Sequence, residues 1–200
     1  MATLTMPSDG VAAVRFGNRR NTIRTTSPFT RSSQIISRPG DQWFATYELA
    51  VGTKATRAEW QVFLMQASNT DNRFKAYEHG YEAQGTTNGT PLVNGADQTG
   101  TSLITDGWAN SKTVLKAGDY ISVNDELKVV TADVTSDGSG NATINFEPKI
   151  RVSPDDNEAL ITTNPHCLMR LIDDEQAQWD VSPGGFYRFS FSAEESFFNG

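Results

Sequence analysis

The chain is poor in the side chains that most often carry chemistry. It has one cysteine, Cys167, and two histidines, His79 and His166, in 200 residues. A lone cysteine excludes an intrachain disulfide and agrees with assembly in a reducing cytoplasm. The histidines stand in no metal-ligand spacing, and the adjacency of His166 and Cys167 turns their side chains apart on a strand, so neither a zinc site nor a Cys–His dyad is expected. The acidic groups Asp155-Asp156 with Glu158, and Asp173-Asp174-Glu175, fit neither a calcium loop nor a glycosidase carboxylate pair and read as solvated turns. Gly17, Gly40 and Gly52 are isolated, and none opens a helix after a strand, so no phosphate cradle is expected. No apolar run reaches the ~18 residues that suggest a membrane span. The start MATLTMPSDG lacks the basic and apolar regions of a secretion signal. These shortages point away from an enzyme, a cofactor and a membrane span.

What is present is a lopsided charge. Residues 1–40 hold six arginines, Arg15, Arg19, Arg20, Arg24, Arg31 and Arg38, against the single acid Asp9, a local +5. Because the whole chain carries −7, residues 41–200 carry −12. A basic segment on an acidic body suits an interface with a neighbouring copy, so the six arginines are the interface candidates. A solvated strand face is the plain alternative. Nucleic acid is a poor fit, since the segment has no lysine cluster and only Phe16 and Phe29 as aromatics.

The remaining pattern is mostly β. Val11–Phe16, the NTIRTTSPF stretch and the run around Ile35 and Ile36 read as strands, closed by the turn Arg38-Pro39-Gly40-Asp41. Trp43, Ala45, Tyr47 and Leu49 alternate with Thr46 and Glu48, a strand with one packed face. One helix is expected, opened by the capping box Thr56-Arg57-Ala58-Glu59. Its apolar stripe is Trp60, Phe63, Leu64 and Ala67, and it ends near Ser68–Asn72 against the sheet of Trp43 and Tyr47. Residues 85–107, with five glycines, read as a linker or extended crossing. Asp119–Val123 and Glu126–Val130 around Asn124-Asp125 form a hairpin, and the turn Asp137–Asn141 leads into a third strand, which suggests a small barrel or sandwich. Cys167–Ile172 and Gly185–Ser192 return to strands, and the aromatics of the latter need the core supplied by the first 80 residues.

The expected organisation is therefore a first β part over residues 1–85, an inserted small β domain over 86–165, and completing strands over 166–200. Among four tryptophans, Trp43 and Trp60 belong to packed faces. Trp108 and Trp179, set among polar residues, are the candidate surface contacts, and a carbohydrate-binding module is the reading they would support.

The order of these motifs resembles that of distal tail proteins of long-tailed, siphophage-like phages. The N-terminal likeness lies in Arg38-Pro39-Gly40-Asp41-Gln42-Trp43 and the Thr56–Trp60 helix start with Phe63-Leu64. The most specific part is Gly89–Gly100, then Leu115–Ile121 with Thr131–Thr143, and Glu147–Arg151 closes it. Where many relatives have a compact Gly-rich turn after the helix, this chain has Phe74-Lys75-Ala76-Tyr77-Glu78-His79-Gly80. The resemblance covers residues 10–195. It implies a tail-tube-like β-sandwich with one helix carrying an inserted small β-barrel or sandwich domain, and no catalytic residue. It also implies a virion protein that forms a ring, hexameric in the family, joining the tail tube protein to the tail-tip hub proteins and to fibres or a host glycan. A main tail-tube protein shares that ring fold.

Overall fold

The computed structural model describes residues 2–38, 40–51, 54–69, 72–182 and 186–197. The chain opens with β1 (Thr3–Thr5), β2 (Val11–Arg19), β3 (Thr22–Thr26), β4 (Ser33–Ser37) and β5 (Gln42–Val51), followed by α1 (Lys54–Ala67). Next come β6 (Arg73–Ala76), β7 (Gly89–Val93), β8 (Gly100–Trp108), β9 (Thr113–Leu115) and β10 (Tyr120–Val123). Then follow β11 (Glu126–Val130), β12 (Val134–Thr135), β13 (Ala142–Ile150), β14 (Cys167–Leu171), β15 (Asp180–Ser182) and β16 (Phe186–Glu195). A short 3-10 turn, Asp174–Gln176, lies between β14 and β15. The protein is thus mainly β with one α-helix. It divides into two compact units, one of Met1–Phe74 with Met169–Gly200 and the other of Lys75–Leu168.

The first unit is organised by a mixed sheet of seven strands, in the order β1-β6-β14-β16-β5-β2 with β15 added to β16. The alternation expected in β5 holds: Trp43, Ala45, Tyr47 and Leu49 are all buried. β16 runs antiparallel to β5 with Phe189, Phe191 and Ala193 opposite Leu49, Tyr47 and Ala45, so both strands give one apolar face. Against it lies α1, whose stripe Trp60, Phe63, Leu64 and Ala67 is buried. Tyr47 and Phe191 stack at 5.0 Å between centroids, Trp60 lies 5.9 Å from Phe191, and Phe63 meets Phe74 edge-on at 5.2 Å. Each of these burials is worth roughly 1.5–3 kcal/mol before entropy is counted. The Trp60 indole also donates to the Asp9 carbonyl at 2.7 Å, so its polar edge is satisfied. The opposite face carries polar side chains such as Glu48, Ser190 and the hydrogen-bonded pair Thr46–Ser192.

Two sequence expectations shift here. The helix begins at Lys54, so Thr56 sits inside its first turn and not before it as a cap. Lys54 and Ala55 are good helix formers and prolong the helix toward its N-terminus. Gly52, which stands between β5 and α1, lies outside the described residues, as do Pro39, Thr70, Asp71 and Gly185.

The second unit is a curled antiparallel half-barrel in the order β10-β11-β13-β8-β7, with β9 and β12 as a separate pair. Its core gathers Leu103, Trp108, Leu115, Ile121, Ile144 and Phe146. The Asn124-Asp125 turn has both residues at positive φ, 50° and 56°, the twist a two-residue hairpin requires. Segment 158–161 touches both outer strands, bridging Leu92 of β7 through Ala159 and Ser122 of β10 through Ile161. The edges that a curled sheet would leave open are therefore partly satisfied. Residues 85–107 are not a linker, because they form β7 and β8. Their glycines serve close approach: a Cβ on Gly107 would strike the Thr90 carbonyl, and one on Gly89 would strike the Gly107 carbonyl.

Several buried polar groups in this unit are paired internally. The Asp119 carboxylate accepts from the backbone N–H of Gln84 (2.8 Å), Gly85 (3.0 Å) and Lys116 (2.8 Å). Lys128, with no exposed side-chain surface, donates to Glu126 Oε2 at 2.7 Å and to the Lys149 carbonyl at 2.9 Å. Glu126 in turn accepts from the backbone N–H of Arg151 and Val152, which pins the chain after β13.

Candidate functional site

β3 and β4 form a two-stranded sheet of their own. Their register places Ile23 opposite Ile36 and Arg24 opposite Ile35. Side chains alternate across a strand, so Ile23 and Ile36 share one face while Arg24 and Ile35 share the other. Every residue of β3 is exposed. Ile23 is 41% exposed, Ile36 46%, Ile35 64%, and Phe29 at the tip 94%. A two-stranded hairpin is marginal in water by itself, and among the described residues this one has no core beneath it. Its ends are nevertheless defined. At the base, Asp41 accepts from Asn21 N–H at 2.9 Å and from Arg20 Nη1 at 3.2 Å, and Arg38 N–H donates to the Asn21 carbonyl at 2.9 Å. At the tip, Ser27 and Ser32 close the loop through a 2.8 Å backbone bond, with Arg31 at φ 58°.

The six arginines are all exposed and fall into two groups. Arg15 and Arg19 lie on β2, opposite Thr46 and Gln42, and Arg19 sits 5.7 Å over the Phe44 ring. Arg20, Arg24, Arg31 and Arg38 belong to the projecting hairpin and its base, where Arg24 Nη2 reaches Ser33 Oγ at 3.4 Å. Residues 20–38 contain no acid and so carry +4. β2 is also the last strand of the main sheet on its side.

A second surface of opposite charge lies in the same unit. Residues 172–181 hold Asp173, Asp174, Glu175 and Asp180 and no basic residue, a local −4. Among them Ile172 is 50% exposed, Trp179 37% and Val181 59%. This strip follows β16: Ile172 N–H donates to the Ser192 carbonyl at 3.1 Å, and β15 pairs with Phe186–Arg188. Asp173 holds the short turn by accepting from Glu175 N–H at 3.0 Å.

The tryptophans divide. Trp179 is at the surface, with its ring 6.1 Å from Phe189. Trp108 is only 3% exposed and does not form a surface contact. Gly107, at φ 74°, breaks the alternation of β8, so Trp108 falls on the same inner face as Leu103 and Thr105. Its indole N–H donates to Thr105 Oγ1 at 2.8 Å, and that hydroxyl donates to the Ala142 carbonyl at 2.9 Å. Polar neighbours in sequence disguised this position, because the change of phase comes from the backbone.

Sequence reasoning missed one polar cluster. His166, nearly buried, meets Asp125 Oδ1 through Nε2 at 3.1 Å, while its Nδ1 lies 3.3 Å from the Asn164 carbonyl. Lys75 Nζ is 3.7 Å from the same Asp125 oxygen. The hydrogen bond from His166, aided by the Lys75 charge, holds Asp125 below the ordinary carboxylate range. Both ring nitrogens are engaged, so the group acts as a clip between the β10–β11 turn and the chain leading into β14. Residues 41 and 91 positions apart from one another in sequence carry no spacing signal that could have found it. Among the described residues, no three of His, Cys, Asp and Glu stand together as a metal cage, and no helix is long and apolar enough to cross a membrane. No protein-family model matches the chain, and no curated protein matches it either.

Proposed function

We propose that this chain is a structural subunit of a phage tail tip, a distal tail protein that works by assembling into a hexameric ring. In this reading the first unit is the ring-forming domain, a tail-tube-like β-sandwich with one helix, and the second is an inserted small β domain. The observation that carries it is the β3–β4 arm. Four large apolar side chains and an arginine-rich backbone of strands stand on it with no core below. An exposed apolar surface of this kind marks an interaction site. The motif order described above supplies the family, and an arm that is useful only when another molecule covers it supports assembly as the task. The partners are further copies, the tail tube protein and the tail-tip hub proteins, and the place is the virion after assembly in the host cytoplasm. The rival carbohydrate-binding reading keeps only Trp179, since Trp108 is in the core.

The test is native mass measurement with electron microscopy of the purified full chain at micromolar concentration. A closed six-copy ring supports the reading, and long stacked tubes would assign the chain to the main tail-tube protein instead. A monomer that also fails to join purified tail tubes overturns it.

A further inference from the structure

Among the described residues, the large apolar side chains left exposed in the first unit lie on the β3–β4 arm, on the Ile172–Val181 strip, at Val62 and Met65 of α1, and at Phe197 past β16. Charge separates the possible pairings. The arm carries +4 and the strip −4, whereas α1 holds Lys54, Arg57 and Glu59 and is itself positive. Opposite fields steer encounter and fix register, and like fields suppress it. The strip also offers backbone. β15 is hydrogen-bonded to β16, and the sheet order gives it no second neighbour among the described residues. Each strand of the arm likewise has one unpaired edge, which suits strand addition.

We infer that the arm of one copy docks on the Ile172–Val181 strip of a second copy, with the Arg24–Ile35 face and the Phe29 tip against Ile172, Trp179 and Val181, and the arm's arginines facing Asp174, Glu175 and Asp180. This inference rests on the ring reading and names the surfaces that would make the ring. Because arm and strip are different surfaces present on every copy, the contact is head-to-tail. Such a contact leads to a closed ring when its rotation closes and to a filament when it does not.

A charge-exchange experiment tests it. One variant reverses the arm from +4 to −2, Arg24→Glu with Arg31→Glu and Arg38→Glu, and another reverses the strip from −4 to +2, Asp174→Arg with Glu175→Arg and Asp180→Arg. All six residues are exposed, so both variants should keep the wild-type melting temperature. Each variant alone then meets like charge and should assemble at least about a hundredfold more weakly than wild type. Mixed in equal amounts, the two should assemble again with alternating copies, since each arm now finds an opposite strip. If the wild-type chain forms rings and either variant alone still does, or if the mixture stays monomeric, the seat is wrong and the ring reading stands. A wild-type chain that assembles neither by itself nor on purified tail tubes removes both. Replacing Ile35 and Ile36 by Ser gives a second probe that leaves charge unchanged, and unaltered assembly in that variant also overturns the docking.

Discussion

The half-barrel of the second unit and the β3–β4 arm of the first are both antiparallel strands joined by tight turns, yet they treat their surfaces in opposite ways. In the half-barrel, segment 158–161 bonds to both outer strands, and even a lysine without exposed side-chain surface is paired with Glu126. In the arm, three isoleucines and a phenylalanine face outward, and among the described residues no strand extends its edges. The half-barrel covers its apolar core and pairs its buried charges, whereas the arm pairs its two strands but leaves its large apolar side chains uncovered. The difference teaches where to look for function. Stability is concentrated where polar groups are paired internally, and assembly where apolar and charged groups are left for another molecule.

Breaking the comparison at the core should have the largest effect. Trp60→Ala removes the central ring under the main sheet and its bond to Asp9, and should cost about 4 kcal/mol in denaturant unfolding. Hydrogen exchange should rise first in the strands of the first unit. Lys128→Met tests the half-barrel in the same way. It leaves Glu126 buried without its main counter-charge and should cost about 3 kcal/mol, read by exchange within β11 and β13. A loss below roughly 1 kcal/mol would mean that the backbone N–H groups of Arg151 and Val152 suffice for that carboxylate.

A pH scan sharpens the contrast further. Burial raises the Tyr81 phenol to about 12 and pushes Tyr120 higher still, with the Glu78 hydrogen bond adding to the latter. Unfolded tyrosines ionise near ~10. The stabilisation is therefore complete below that pH and is lost as the pH climbs toward about 12, because the unfolded chain releases protons the folded one retains. Phenolate absorbance should show Tyr81 and Tyr120 titrating late, with Tyr77 also raised by burial, and exchange in that unit should quicken before exchange at the arm changes. The smallest effect belongs to the arm. Ile35→Ser with Ile36→Ser should shift the stability of the isolated chain by no more than about 0.5 kcal/mol, since neither side chain has a core to leave. A large loss would show that the arm is packed in the free protein after all.

Much of the fold was legible because local patterns agreed with tertiary demands. The period-two run of β5 and the 3.6-period stripe of α1 name the very residues that pack, and the Asn124-Asp125 turn marks its hairpin through residues tolerant of positive φ. The arginine excess marks the segment, residues 1–40, that holds the arm. The helix start was misplaced because Thr56 resembles a cap from sequence while Lys54 and Ala55 already propagate the helix. Residues 85–107 read as a linker from sequence because glycine signals both looseness and close packing.

By itself the sequence determined the β-rich character, the single helix, the core stripes and the concentration of positive charge in the first forty residues, since these follow from periodicity and composition over short windows. Only the tertiary structure decided that Trp108 is core, that Asp125 gathers His166 and Lys75, and that four arginines and four large apolar side chains share one uncovered hairpin facing outward. Those outcomes depend on a bulge that changes strand phase and on which distant strands meet, and neither is encoded in the spacing of neighbours along the chain.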